Sequence, residues 1–242
     1  IITVDCGTGS VAAVRQAGQQ GVDVVVTDHH TPGPERAPAH ALVNPKLGGV
    51  EALHVLAGVG VAFKVCHGLL KRGRERGHPA VDRVDLRTHL DLVALGTIAD
   101  IVPLTGENRI LARHGLRQLN QTTCPGLRHL IEVADIKGPM DAYEVGFRLG
   151  PRLNAAGRLG DAQRALELLL GGSDERLRAL AVELDATNRD RQALEASMVD
   201  EAVAELDRGY DVAHSFGLVV ARPEWHPGVV GIVASRLVQR YN

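Results

Sequence analysis

Residues 22–30 read Val-Asp-Val-Val-Val-Thr-Asp-His-His. The apolar run at 22–26 is typical of a buried strand in a parallel sheet. One carboxylate and two imidazoles, Asp28, His29 and His30, follow where that strand should end. Ligands of open α/β sheets bind beyond the carboxyl ends of the strands. The stretch therefore predicts both a parallel sheet and a polar site at its edge.

A second predicted strand ends in the same way. Residues 1–4, Ile-Ile-Thr-Val, form an apolar strand pattern that stops at Asp5. The glycine-rich turn at 7–10 follows and leads into a predicted helix at 10–20. That turn lacks the lysine of a phosphate-binding P-loop, so it indicates a helix N-cap rather than a phosphate cradle.

Strands and helices alternate along the following residues. A strand is predicted at 41–43, and helices at 51–70, which we expect to be buried, and at 86–98, 107–119, 126–133 and 162–170. Residues 72–83 are highly charged and predict an exposed loop, whereas 150–161 show little regular periodicity. Strand followed by helix, repeated, is typical of an α/β fold with a parallel sheet.

A long helix is predicted between two domains. Ser173 is a good N-cap for a helix that runs to Leu206. Polar residues at 188–192 interrupt its apolar stripe, which favours a connector over a core helix. A strand at 217–221 and a helix opened by 225–228 then begin a second α/β domain. We predict a first domain at 1–172, a connector at 173–208 and the start of the second domain at 209–242.

Both ends of the chain lie inside predicted elements. The chain opens in an apolar strand without an initiator methionine and stops within a helix. We expect an internal fragment that lacks the start of its first domain and the end of its second.

The composition excludes several classes of protein. Three widely spaced cysteines give neither a disulfide framework nor a zinc ribbon, which favours a reducing, cytoplasmic location. No apolar run of about 18 residues occurs, so no membrane span is expected. The net charge of −2 argues against a wholly basic nucleic-acid-binding surface but leaves room for a local one.

Asp5, His29 and Asp100 are the candidate metal ligands, because each follows an apolar segment at the end of a predicted element. Mixed carboxylate and imidazole ligands suit manganese and tolerate magnesium or zinc. A carboxylate can also bridge two ions about 3.5–4 Å apart, as in two-metal phosphoryl chemistry. The alternative is that both aspartates are helix caps and His29 is an ordinary loop residue.

Five blocks, in this order, resemble the DHH phosphoesterase superfamily and, within it, the RecJ family of single-strand-specific DNA exonucleases. They are Val-Asp-Cys-Gly at 4–7, Asp-His-His at 28–30, Gly-Thr-Ile-Ala-Asp at 96–100, Gly-Pro-Arg-Leu-Asn-Ala-Ala-Gly-Arg at 150–158 and Trp-His-Pro-Gly-Val-Val-Gly-Ile-Val-Ala-Ser-Arg at 225–236. The resemblance covers essentially the whole chain. It implies a parallel-sheet DHH domain joined by the long helix to a truncated DHH-associated α/β domain.

The resemblance also implies a site for two manganese or magnesium ions in the intact protein. Asp5 would bridge the ions, and His29 and Asp100 would complete the shell of one of them. His30 would contact the scissile phosphate, and Asp28 would orient the histidines. The remaining ligands belong to an earlier motif of the family that this chain does not contain, so we expect the isolated chain to hydrolyse DNA poorly.

On the substrate side, the resemblance implies that Arg152, Asn154 and Arg158 hold nucleotide or phosphate, since guanidinium groups match phosphate oxygens. The small residues between them would allow a ligand to approach closely. His226 would face the cleft from the second domain, although its place before Pro227 suits helix capping nearly as well.

The implied reaction is hydrolysis of single-stranded DNA from its 5′ end to mononucleotides, in recombination and repair. The implied partners are single-stranded DNA and a repair helicase or single-strand-binding protein, with no membrane.

Three other functions remain open. A phosphodiesterase of short oligonucleotides or cyclic dinucleotides is disfavoured by the block at 154–158. A manganese pyrophosphatase is less favoured, because so small a substrate would not need the long connector or a cleft lined by Arg152 and Arg158. An inactive nucleic-acid-binding relative should have lost metal ligands, whereas every ligand position that this chain covers is filled.

Overall fold

The computed structural model describes residues 1–211 and 214–241. The chain forms two compact units, one of residues 1–122 with 137–150 and one of residues 123–136 with 151–242. The predicted division at 172 and 208 stays a prediction. Among the described residues, no helix combines the length and the apolar character that a membrane crossing requires.

The first unit contains a parallel three-stranded sheet, as predicted. Its strands β1 (Ile2–Val4), β2 (Val25–Thr27) and β3 (Ala41–Val43) lie in the order β1-β2-β3. Val4 pairs with Thr27, and Thr27 pairs with Val43. The three carboxyl ends are therefore in register, so the residues that follow them gather at one edge of the sheet.

The helices of the described residues, in chain order, are α1 (Val11–Gln19), α2 (Gly58–Glu75), α3 (Leu90–Ala99), α4 (Gly106–Leu119), α5 (Pro125–Val133), α6 (Ala142–Glu144), α7 (Gly150–Leu159), α8 (Gln163–Leu170), α9 (Asp174–Gly209) and α10 (Pro227–Tyr241). A π-helical turn, Val145–Leu149, joins α6 to α7. Single 3-10 turns occur at Pro45–Leu47, Glu51–Leu53, Val81–Arg83 and Leu86–His89.

Helix α1 connects β1 to β2 and packs against the sheet. Helix α1 ends before Gly21, whose φ of +75° suits a residue just past a helix C-terminus. Val14 on this helix packs with Val24, Val26 and Ala37 in a buried cluster. Strand β2 begins at Val25 rather than at 22, because Val22 still donates a backbone hydrogen bond to Ala17 of α1.

Three local predictions were wrong. Helix α2 begins at Gly58 and continues to Glu75 through the arginines expected in a loop, and only its first turn is buried. Cations in a last helical turn are favourable, which explains why the charged stretch stays helical. The strand predicted at 217–221 is not found among the described residues, and residues 150–159, for which no element was predicted, are helical.

The long helix α9 has the predicted N-cap, because the Ser173 hydroxyl accepts the Arg176 N–H at 3.3 Å. In the second unit it packs against α5, α8 and α10. Its polar middle is not a solvated stretch, since Asn188, Arg191 and Glu195 are buried and the arginine donates to both partners. Trp225 is partly buried and packs against an apolar cluster built from α9 and α10.

Candidate metal centre

Asp5 lies directly after β1 in the left-handed backbone region, with φ of 62°. Such a conformation is uncommon for a residue other than glycine and costs about 1–3 kcal/mol where the surroundings impose it. The side chain packs against the bare backbone of Gly58 at the start of α2. A Cβ atom on Gly58 would lie within 2.5 Å of the Asp5 Cγ atom.

Asp28 is a buried carboxylate that holds the end of β2 in place. Its Oδ2 atom accepts the Thr8 N–H at 2.9 Å, and its Oδ1 atom accepts the backbone N–H groups of His29 at 2.8 Å and His30 at 3.2 Å. Burial by itself raises the pKa of Asp28, but the hydrogen bonds from Thr8 and His30 outweigh burial and hold the pKa well below its ordinary value. The glycine-rich turn thus donates a backbone hydrogen bond to a carboxylate of the protein itself. Ser10 is the N-cap residue of α1, but its side chain makes no capping hydrogen bond.

The ring of His29 carries the clearest sign of a cation site. Its Nδ1 atom lies 2.9 Å from the Leu56 carbonyl oxygen, so Nδ1 holds the proton and donates it. In the neutral ring the Nε2 atom then presents a lone pair, and it faces the Asp5 Oδ1 at 3.0 Å and the Asp100 Oδ2 at 3.7 Å. Neither approach is a hydrogen bond, and Nε2 is buried without any hydrogen-bond partner.

The ligand atoms of Asp5, His29 and His30 all lie within 4.8 Å of one another, and Asp100, which is not one of these three, lies 3.7 Å from the His29 Nε2 atom. Electron-pair donors this close repel one another unless a cation lies between them. Neutral imidazole and carboxylate oxygen form the donor set that manganese accepts. The residues present therefore fit a divalent ion.

Asp100 occupies the C-cap position of α3, where the helix dipole is negative and disfavours a carboxylate. Burial raises the pKa of Asp100, and the nearby Asp5 charge raises it further against an opposing effect of His29. The next residue, Ile101, has φ of 59° although its side chain is β-branched and exposed. A backbone outlier on each side of the site, at Asp5 and Ile101, fits the tendency of strain to collect at functional sites.

The ring of His30 is turned towards solvent. Its Nδ1 atom lies 2.8 Å from the Asp28 Oδ1 atom, and the side chain is 64% exposed. The Nε2 atom is then the ring nitrogen available to a ligand. Asp28 orients the ring of His30 but only the backbone of His29, whose ring is oriented by Leu56.

Arg152, Asn154, Arg158 and His226 all lie in the second unit. The Arg152 Nε atom donates to the Asp185 Oδ1 at 2.9 Å. Asn154 and Arg158 are exposed and four residues apart, so they share one face of α7. The small residues between them were expected to let a ligand approach closely. Ala155 and Ala156 are instead buried in the protein.

The N-terminus of α10 adjoins Arg158. Arg158 donates from Nη1 to the Gly228 carbonyl oxygen at 3.0 Å, and a Cβ atom on Gly228 would lie only 3.0 Å from the Arg158 carbonyl carbon. The His226 Nδ1 accepts the Gly228 N–H at 3.1 Å, so this ring caps the helix. Substrate contact by the arginines, Asn154 and His226 stays a prediction.

We expect the substitution Ile101→Gly to stabilise the protein by about 1 kcal/mol, because a β-branched residue pays for a left-handed backbone and glycine does not. Urea unfolding measures the change. Ile110→Gly is the matched control, since Ile110 is also exposed but lies within α4, where glycine costs about 1 kcal/mol. Equal destabilisation by both substitutions would show that the left-handed geometry carries no strain.

A model described as the DHH family, N-terminal domain, matches residues 1–97, which include Asp5 and the Asp-His-His triplet. The single-stranded-DNA-specific exonuclease RecJ of Dickeya dadantii is 45% identical, over 100% of this chain and 43% of that protein. Residues 1–97 thus match the DHH family.

Two solved structures resemble this chain along 99% of its length. One is RecJ in complex with Mn²⁺ from Thermus thermophilus, with 40% identity, a TM-score of 0.84 and 34% of that protein covered. The other is RecJ from the same organism in complex with Mg²⁺, with 38% identity, a TM-score of 0.76 and 33% covered. The chain thus spans less than half the length of these relatives.

Several residues of the centre were missed from sequence. Leu56 acts through its carbonyl oxygen, Thr8 through its N–H and Gly58 through its missing side chain. Every residue has the same backbone groups, so residue type does not reveal which of them takes part in the site. The two glycines at 58 and 60 are the one feature of the sequence that indicates a close approach of another group to the backbone.

Proposed function

We propose that this chain supplies part of the metal centre of a single-strand-specific exonuclease that releases mononucleotides from a 5′ end. The observation that carries the proposal is the His29 Nε2 atom, which is buried without a hydrogen-bond partner and faces the carboxylates of Asp5 and Asp100. The similarity to RecJ along the whole chain supports the choice of single-stranded DNA as substrate.

The cofactor in this proposal is manganese or magnesium, held by Asp5, His29 and Asp100 together with ligands from outside this chain. Such ions lower the pKa of a bound water and stabilise the negative charge of a phosphodiester under attack. The chain itself orients the donors, since Leu56 fixes the tautomer of His29 and Gly58 leaves room for the Asp5 carboxylate.

His30 is proposed to bind the scissile phosphate. The carboxylate of Asp28 accepts a hydrogen bond from the Nδ1 atom and fixes the orientation of the ring. When the ring carries a proton on Nε2, that N–H donates to a phosphate oxygen and stabilises charge that develops in the transition state. In the second unit, Arg152, Asn154, Arg158 and His226 are proposed to contact the strand or its terminal phosphate.

A cytoplasmic location is proposed as well, because none of the three cysteines is in a disulfide. A repair helicase or a single-strand-binding protein as partner stays a prediction from family resemblance.

The test uses a protein that carries this chain at the full length of its RecJ relatives. Calorimetric titration should show manganese binding that His29→Ala weakens by 10-fold or more, as expected when a ligand is removed. Oligonucleotides labelled at either end should lose mononucleotides from the 5′ end, and His29→Ala should abolish that loss. His67→Ala, an exposed histidine on α2, is the control and should leave both properties unchanged.

Two outcomes would contradict the proposal. If His29→Ala bound manganese as tightly as the wild type, the metal ion would not be held by His29 and the proposed centre would be wrong. Hydrolysis of dinucleotides without hydrolysis of long single strands would favour the phosphodiesterase of short oligonucleotides instead.

A further inference from the structure

Tyr143 and Phe147 form an exposed aromatic pair in a chain that is poor in aromatic residues. The whole sequence has three Phe, three Tyr and one Trp. The two rings stack with centroids 4.9 Å apart and planes 30° apart. Tyr143 is 61% exposed and Phe147 is 71% exposed, so each ring keeps a large part of its surface in water.

The backbone beneath the pair is firmly anchored. Asp141 and Glu144 form a capping box at the start of α6, so both carboxylates are engaged in local hydrogen bonds. The Asn120 side chain accepts the Met140 N–H at 2.7 Å and donates to the Met140 carbonyl at 2.9 Å. The rings are therefore held on a fixed base.

The same segment lies beside the metal centre within the first unit. The π-helical turn packs against α3, and the Cβ positions of Gly146 and Gly150 approach Ile98 and Ala99 in the last turn of that helix. Asp100 is the next residue of the chain. Single π-helical turns occur frequently at functional sites.

We propose that Tyr143 and Phe147 are a stacking platform for an unpaired base of the strand whose phosphate reaches the metal centre. This inference rests on the proposed function. Stacking on an aromatic ring tolerates every base, because every base has a π-face. It requires an unpaired base, since the base faces of a duplex are covered by neighbouring pairs.

The surroundings favour a base over other occupants. The adjacent carboxylates of Asp141 and Glu144 would repel a phosphate, so the platform meets the base and not the backbone. A stable protein partner buries about 800 Å² on each side, which is far more than two partly exposed rings provide.

The test measures binding of single-stranded oligonucleotides by fluorescence anisotropy, in EDTA, with the full-length protein. The dissociation constant should rise about tenfold for Phe147→Ala, and by a similar factor for Tyr143→Ala, as for the loss of one stacked base. Phe147→Tyr should restore binding because it retains a ring. Leu69→Ala removes an equally exposed apolar side chain from α2 and should change nothing.

Oligonucleotides with one abasic position separate stacking from general adhesion. An abasic position should weaken binding to the wild type at one place along the strand and should not weaken binding to Phe147→Ala at that place. The salt dependence of binding should be the same in both proteins, because no phosphate contact is lost.

The possible failures are distinguishable. If the wild type hydrolyses no phosphodiester with manganese, the proposed function fails and the platform fails with it. If the wild type digests single strands but the alanine variants bind them as tightly, only the platform is overturned. If the variants instead unfold at lower temperature and abasic positions have no effect, the rings pack against another part of the protein, which also overturns it.

Discussion

Replacing Gly58 with alanine is expected to weaken divalent-metal binding by about 10- to 100-fold while leaving the fold intact. The added Cβ atom would lie within 2.5 Å of the Asp5 Cγ and within 2.9 Å of its Cβ atom. The Asp5 side chain is 58% exposed, so it can swing into solvent and relieve the clash without disturbing the core. It would then no longer face the His29 Nε2 atom.

The matched control for this substitution is Gly68→Ala on the same helix, where an added Cβ atom meets nothing within 4 Å. Titration with manganese gives the affinity, and thermal unfolding without metal gives the stability of each variant. Gly68→Ala should bind metal like the wild type, and Gly58→Ala should resemble Asp5→Asn. If Gly58→Ala kept full affinity, the position of the Asp5 carboxylate would be irrelevant to the centre.

Asp28→Asn is expected to destabilise the protein by about 3 kcal/mol, because buried donors lose a charged acceptor. Asparagine keeps one oxygen, and its NH₂ group would face either the Thr8 N–H or the donors of residues 29 and 30. The His30 ring would also lose its charged partner, so the proposed nuclease activity of the full-length protein should fall. Urea unfolding at neutral pH measures the loss, and Asp23→Asn, at an exposed carboxylate, should change stability by less than about 0.5 kcal/mol.

The pH dependence of this difference has a defined sign. The pKa of Asp28 is lowered in the folded protein, so its contribution to the free energy of unfolding is fully present above the unfolded pKa of about 3.9. It is lost as the pH falls below that value towards the folded pKa. The stability gap between wild type and Asp28→Asn should therefore be constant from about pH 5 to 7 and shrink below about pH 4. A gap that widened in acid would contradict the assignment of Asp28 as a charged acceptor.

The sequence predicted the parts of this protein that depend on residue type and period. The valine-rich run before Asp28 indicated a parallel strand, and the polar residues after it indicated a site at the carboxyl edge. The in-register strand ends bring Asp5 and His29 together as expected, and Asp100 joins them from the end of α3.

Other features depend on tertiary contacts that one sequence does not display. The segment 150–159 showed no clear period in the sequence, yet its Ala155 and Ala156 are buried. The polar middle of α9 is buried because Arg191, Asn188 and Glu195 satisfy one another, which a residue-by-residue assessment of polarity cannot foresee. The carbonyl of Leu56 and the empty side of Gly58 likewise have no signature in residue type.

The donors at the centre come from residues 5, 29 and 100, each on a different structural element of the first unit. Chelation by all three would close two long loops of the chain and so act as a reversible crosslink. Closing long loops costs the unfolded chain the most conformational entropy, so the unfolded chain should bind the ion much more weakly than the folded protein. Binding of the ion therefore increases the free energy of unfolding, and the two equilibria are linked. Depletion of the ion would then loosen the last turn of α3 and the end of β1 together, even though these segments share no strand pairing.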